Sequence, residues 1–352
     1  MSAPTISVIV PTYRRPALLR RALRSITSQV VEGIDLTVVV CDNASGDETE
    51  AVVRGVQRDG ASVNYVRRPE NIGAVRNFVR AIGDVRADFF CILSDDDVLL
   101  PGAIARNFKD LSAHPEAAAW NGYVISASER KFVSVRPAPQ WPLGLTRPAQ
   151  ALDLISRNIR PETTGMLFRC DVLTPEDLPE DDQFMAMDVL WVCAAALRGG
   201  IGLSGHASAV LFAHEDSASS ARDVRRTVSV LFPSIPKLCD AIGAWPIEDS
   251  ARTRLVTQFQ RAYGEHGLML LLYRAALDGD HDGINAVEQV AGEHPWLASV
   301  RAAVPWARRA SPVALRAAIL LRQFMYGNRK QKLAAIGWRW RYRRQYRHYL
   351  QQ

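Results

Sequence analysis

Three adjacent aspartates, Asp95, Asp96 and Asp97, follow Ser94 directly behind the apolar run Phe89-Phe90-Cys91-Ile92-Leu93. Carboxylates this close repel one another, so the motif calls for a cation. Closely spaced carboxylate oxygens suit a hard divalent ion that keeps coordination positions open for phosphate. The competing assignment is a solvated turn capping a helix that begins at Val98 or Leu99, because Asp favours turns and helix starts. The setting favours a ligand site: in open α/β sheets ligands collect beyond the carboxyl ends of strands, and two earlier apolar runs also end in polar residues.

Those runs are Ile6-Ser7-Val8-Ile9-Val10, leading into Pro11-Thr12-Tyr13-Arg14-Arg15, and Leu36-Thr37-Val38-Val39-Val40-Cys41, leading into Asp42-Asn43-Ala44-Ser45-Gly46. Helical patterns follow each, over residues 16–29 and 47–58. A third run at residues 63–66 precedes Asn71-Ile72-Gly73-Ala74-Val75-Arg76-Asn77, and the acidic run is the fourth. Such alternation predicts a doubly wound α/β sheet with its loops gathered on one edge.

Taken in order, ISVIVPTYRRP, VVVCDNASGD, NIGAVRN and FCILSDDDVLLPG resemble the nucleotide-sugar domain of the family 2 glycosyltransferases. The resemblance is strong over the first 110 residues and weaker to about residue 220. It implies an α/β fold, a GT-A-like Rossmann-type mixed sheet flanked by helices. Residues 1–110 would be its nucleotide-sugar half and residues 111–222 its acceptor half. Apolar helical spacing then predicts a helical extension over 223–328, followed by a tail at 329–352.

The resemblance also implies roles. Pro11 and Tyr13 would border the base, Asp42 would accept hydrogen bonds from base or ribose, and Asn71, Gly73 and Arg76 would approach the base and diphosphate. Asp96 matches the metal-binding carboxylate for Mn2+ or Mg2+. Asp95 would reach the ribose or a metal-bound water, Asp97 would support the metal, and His214 would complete the site. Ser94 stands where the family pattern begins with an acid. Asp188, at a helix start, matches the general base, although Met187 replaces the first acid of the usual pair; Glu180, Asp181 and Asp182 are its rivals. Each assignment has a local alternative: an Asx turn for Asp42, a solvated helix face for Arg76, a structural histidine for His214, and for Asp188 a macrodipole contact of about 0.3–1 kcal/mol.

The chain of 352 residues is long enough for two domains or one enlarged one. Its five cysteines, Cys41, Cys91, Cys170, Cys193 and Cys239, lack zinc-site spacing and suggest free thiols in a reducing compartment. No signal-peptide pattern precedes the first run, and no apolar stretch reaches the ~20 residues of a membrane span. A cytoplasmic protein, peripheral on the inner membrane, is the expected location. Proline and tryptophan around residues 128–148 predict an irregular loop, with Trp141 either packing or offering a sugar-stacking platform.

The chain's net charge is +6, and residues 329–352 hold eight Lys or Arg and no acid, which leaves −2 for the rest. On a helix, Ala335, Trp338, Tyr342, Tyr346 and Tyr349 share one face among arginines. That tail suits an anionic membrane surface, with a solvated helix end or an oligomer contact as alternatives; it lacks a recognised nucleic-acid module, so no nucleic-acid partner is expected.

The combined expectation is a metal-dependent inverting glycosyltransferase using a UDP- or dTDP-sugar and a glycan or lipid-linked glycan acceptor. A catalytically silent nucleotide-sugar-binding scaffold is the alternative. A nucleotidyltransferase is less well supported because no glycine-rich phosphate loop follows the first strand.

Overall fold

The computed structural model describes residues 3–128, 131–136, 141–172, 187–212 and 223–326. His214, the acidic rivals at residues 180–182 and the tail at 329–352 lie outside them.

The four apolar runs form β1 (Thr5–Thr12), β2 (Asp35–Asp42), β3 (Val63–Arg67) and β4 (Phe89–Ile92). They pair in parallel in the order β3-β2-β1-β4. The connecting helices are α1 (Pro16–Thr27), α2 (Thr49–Arg58) and α3 (Ala74–Gly83). Beyond β4 the sheet turns mixed, through β5 (Val98–Leu99), β6 (Ala119–Ser128), β7 (Lys131–Arg136), β8 (Gly144–Thr146), β9 (Leu167–Arg169) and β10 (Ile201–Phe212). Short β9 runs antiparallel to both β4 and β6, so it joins the parallel nucleotide half to the second half. The helices of that half are α4 (Ala103–Ser112), α5 (Pro148–Ser156) and α6 (Met187–Gly199).

Alternation along β1 explains the two cores. Ile6, Val8 and Val10 pack with Leu19, Leu23 and Ile26 of α1, whereas Ile9 joins Val75 and Val79 of α3 and Trp191 of α6. Helix α6 is apolar around most of its circumference, and Val189 through Ala196 are buried. That burial anchors Asp188 in the first turn of α6.

One competing assignment and one expectation are corrected here. The helix after the acidic motif begins at Ala103, because Val98 and Leu99 first pair with Val210 and Ala209 of β10. The segment expected to be one irregular loop contains β7, a hairpin partner of β6, and β8, which pairs with β10. Trp141 is 1% exposed, so it packs in the core.

Helices α7 (Val224–Leu231), α8 (Ser234–Gly243), α9 (Asp249–Phe259), α10 (His266–Asp278), α11 (His281–Glu293), α12 (Ala298–Ala307) and α13 (Pro312–Tyr326) complete the described chain. Leu238, Ile242, Leu255 and Phe259 share one apolar core with Leu152 and Ile155 of α5, so these helices are fused to the sheet layer. A π-helical turn at Gln260–Glu265 links α9 to α10, and from it the Tyr263 hydroxyl donates to the Ile155 carbonyl at 3.2 Å. Such turns often mark functional positions.

β10 bulges against β6 between Leu203 and Ala209. Gly122 permits this close approach: a Cβ there would stand 2.5 Å from the His206 carbonyl oxygen. Burial and then Arg106 push the His206 imidazole down from 6.5 to about 4, and the ring sits 3.2 Å from the Asn107 side-chain oxygen. The unfolded chain therefore takes up this proton first as pH falls. The stability that His206 contributes is full above pH 6.5 and is lost toward pH 4, and His266, pushed down to about 4 by burial and then Arg322, adds to the same window. Thermal melts should show that decline, and His206→Gln should lessen it.

Candidate active site

Strand ends converge on a cavity of about 630 Å3 lined by Pro11, Tyr13, Asn71, Gly73, Asp95, Asp96, Asp97 and Asp188, among others. The loops hold one another in place. Asn43 donates from Nδ2 to the Asn71 side-chain oxygen at 2.8 Å and to the Gly73 carbonyl at 3.2 Å, and its own Oδ1 accepts from Ile72 N at 2.9 Å. Gly73 begins α3 with φ of 88°, a conformation that favours glycine. Asn77 fixes the same helix by donating to the Cys41 carbonyl at 2.8 Å.

Asp42 and Arg76 stand apart from this lining. Asp42 is buried at the end of β2, where one carboxylate oxygen accepts from Ser45 and the other from the Tyr65 hydroxyl at 2.6 Å. It thereby shapes the turn that carries Asn43. Burial first, and then this bond to Asp42, raise the Tyr65 pKa. Arg76 is exposed on α3, while its neighbours Asn77 and Phe78 face the cavity.

The cation that the acidic motif calls for is supplied in part by the chain. Arg15 places Nη1 3.3 Å from Asp95 and 3.2 Å from Asp96. Asp95 also accepts from the Thr12 hydroxyl at 2.7 Å, and burial raises its pKa against these two partners. Arg21 donates to the Asp96 carbonyl at 2.6 Å while lying 4.0 Å over the Phe212 ring. Asp97 is 2% exposed, and its oxygens accept from the Thr164 hydroxyl at 2.8 Å and from Phe212 N at 3.1 Å. Burial and then the neighbouring Asp96 charge raise its pKa well above the usual carboxylate range.

Among the described residues, no group of three His, Cys, Asp or Glu side chains is placed to hold a metal ion. The Asp96 carboxylate on the cavity wall still suits one: Mg2+-type ions commonly take one or two carboxylates and fill their remaining positions with substrate phosphates and water. Asp97 is a poorer ligand because both of its oxygens are already engaged.

Across the cavity, Asp188 Oδ2 accepts from Arg160 Nη2 at 2.7 Å. Arg160 Nη1 lies 3.5 Å from Glu162, which also pairs with Arg136 at 2.9 Å. Burial would lower the Arg160 pKa, but Asp188 and Glu162 outweigh it and raise it; burial likewise opposes the two arginines that hold Glu162 down. Tyr263 and Cys193 complete the cluster. Arg160 escapes sequence reading because an isolated polar residue carries no spacing signal. Arg15 and Asn43 lie within two of the strand-end motifs, but only the fold shows which side chains they meet.

Removing Arg160 would leave two carboxylates facing each other, one of them buried. Arg160→Met should cost about 3–5 kcal/mol in chemical denaturation, and Arg160→Lys clearly less.

Residues 7–173 match the family described as Glycosyl transferase family 2. Over 103 residues the chain is 36% identical to the GalNAc(5)-diNAcBac-PP-undecaprenol beta-1,3-glucosyltransferase of Campylobacter jejuni, covering 29% of this chain and 33% of that protein. It is 33% identical to the abequosyltransferase RfbV of Salmonella typhimurium over 102 residues, or 28% and 30% of the two chains. The match thus spans about a third of these relatives. Among solved structures, S. aureus TarS 1-349 in complex with UDP-GlcNAc superposes with a TM-score of 0.63 at 17% identity, covering 92% of both chains. The mannosyltransferase PcManGT from Pyrobaculum calidifontis, in complex with GDP-Man and Mn2+, gives 0.51 at 18% identity, covering 92% of this chain and 84% of that one. The structural likenesses speak for the fold and the sequence match for the family: residues 7–173 belong to glycosyl transferase family 2, on a GT-A fold.

Proposed function

We propose that this chain is a metal-dependent, inverting glycosyltransferase that moves a sugar from a nucleoside-diphosphate donor to a hydroxyl of a glycan. The observation that carries this reading is the single cavity shared by the strand-end residues, the acidic motif and Asp188. The reaction needs those three parts together: a nucleotide cradle, a place for diphosphate charge and a base.

Pro11 and Tyr13 flank the nucleoside base, and Asn71 and Gly73 bring backbone close to the donor. Asp95 stands by the ribose. Asp96, with His214 if that residue reaches the same place, would hold Mn2+ or Mg2+, which supplies charge neutralisation for the departing diphosphate. Arg15, already paired with Asp95 and Asp96, offers a second cation to that charge.

The acceptor hydroxyl oxygen attacks the anomeric carbon as the bond to the diphosphate oxygen breaks, and Asp188 takes the hydroxyl proton. Arg160 occupies Oδ2 of Asp188, and among the described residues no protein donor reaches Oδ1. One oxygen is thus pinned and the other kept for the proton. The proton leaves only as attack proceeds, so positioning dominates.

The undecaprenol-linked glycan in the name of the Campylobacter jejuni relative and the basic C-terminal segment support a lipid-linked glycan of bacterial surface polysaccharide as acceptor, met at the cytoplasmic face of the inner membrane. UDP- and dTDP-sugars are the first donors to test.

Asp188→Asn keeps shape and removes proton acceptance. Transfer should fall by about 10²–10⁴ while donor affinity stays near wild type. Equal loss of affinity would show that Asp188 shapes the site instead. Asp96→Ala should abolish the metal-dependent part of the thermal shift produced by nucleotide sugars; a donor at 100 times its Kd stabilises the intact protein by about 2.7 kcal/mol. A full metal-dependent shift in that variant would move the metal to another carboxylate. Donor binding without transfer to any acceptor would favour the scaffold reading.

A further inference from the structure

Helix α13 turns Leu315 into the core, where it is 1% exposed, and Arg322 pairs with Glu265 at 3.5 Å. The opposite stripe is Val313, Arg316, Ala317, Leu320 and Leu321, at the i, i+3, i+4, i+7, i+8 spacing of one helical face. Its large apolar members are 76%, 60% and 58% exposed for Val313, Leu320 and Leu321, and Trp306 on α12 is 44% exposed. These are four of the six large apolar side chains exposed among the described residues, gathered on two consecutive helices. Scattered apolar exposure is ordinary, but the three such side chains on one face of α13 mark a contact surface.

The charge around this face identifies its partner. From residue 294 to the end the chain holds thirteen Lys or Arg and no acid, so the net +6 leaves −7 for residues 1–293. Arg301 on α12, Arg308 and Arg309 between the two helices and Arg316 on α13 are exposed, and only Arg308 has a carboxylate partner among the described residues, Glu288 at 2.6 Å. The sequence then continues directly into the basic segment 329–352. Aliphatic side chains bordered by arginines need a surface that is apolar within and anionic at its edge.

We infer that the exposed face of α13 docks on the surface of an anionic lipid bilayer, with Val313, Leu320 and Leu321 entering the acyl boundary and Arg309 and Arg316 lying on phosphate headgroups. A second copy of this chain is a poor occupant, because a two-fold contact would set arginines against arginines. Nucleic acid would satisfy the cations but leave the aliphatic side chains without partners. No helix among the described residues is long and apolar enough to cross a membrane, so the contact made by this face lies at the surface. The inference does not rest on the glycosyl-transfer reading, since none of these residues lines the cavity that holds Asp96 and Asp188.

The full chain should be floated with vesicles of phosphatidylcholine alone and of phosphatidylcholine mixed equally with phosphatidylglycerol. Binding is expected to the second only, and it should weaken with salt. Arg309→Ser with Arg316→Ser should lower partitioning by roughly tenfold or more, since each cation near an anionic surface contributes a factor of about five. Leu320→Glu with Leu321→Glu should lower it at least as far while leaving Tm unchanged, because both positions are solvent-facing. Wild-type partitioning by the double-glutamate chain would overturn the inference, as would failure of the intact chain to bind the anionic vesicles. Conversion of an oligomer to monomers by the glutamates, with vesicle binding unaltered, would make the face a self-contact and also overturn it.

Discussion

Asp97 ties together segments that the chain order keeps far apart. Its buried carboxylate receives the Thr164 hydroxyl from the loop before β9 and the backbone N–H of Phe212 at the end of β10. The acidic motif is thereby locked to both strands that frame the second half of the site. A buried carboxyl group is tolerated only when its oxygens have donors, so both contacts are needed to keep Asp97 inside. With Asp97 held there, Asp96 is left on the cavity wall and Asp95 turns toward Thr12 and Arg15.

The same economy of charge recurs across the cavity. On one side Arg15 sits between two carboxylates, and on the other Arg160 sits between Asp188 and Glu162. Neither arrangement is a strong source of stability, because desolvating paired ions offsets most of their attraction. Their effect is geometric: each arginine sets the direction in which a carboxylate can present its remaining oxygen. The π-helical turn that carries Tyr263 brings the C-terminal helices into this network, so the helical region bears on the site as well as packing beside it. At its far end, that region turns an apolar and basic face outward.

Much was legible in the sequence because it depends on local order. The apolar runs of β1, β2 and β4, buried on both faces, and the polar residues directly after them follow from side-chain direction in a strand. The four motifs, in order at four strand ends, were enough to reach the family and the GT-A fold. Pro11, Tyr13, Asn71, Gly73 and the three aspartates share one cavity because parallel strands with right-handed crossovers place their carboxyl ends on one edge.

Side-chain direction and long-range pairing were decided only by the tertiary structure. Asp42 and Asn43 are neighbours in one motif, yet the first turns inward to Tyr65 while the second reaches Asn71 and lines the cavity. Asp95 and Asp97 differ in the same way, one held by β1 and the other by β10, through contacts 83 and 115 residues away in the chain. Arg160 meets Asp188 only because α5 and α6 pack together, a contact between segments that carry no shared sequence signal. Short apolar stretches such as Val98–Leu99 and Gly144–Thr146 became strands because β10 was there to pair with them. Periodicity reports which face of an element is buried; what that face meets depends on the packing of distant segments, and the chemistry of the site lies in those meetings.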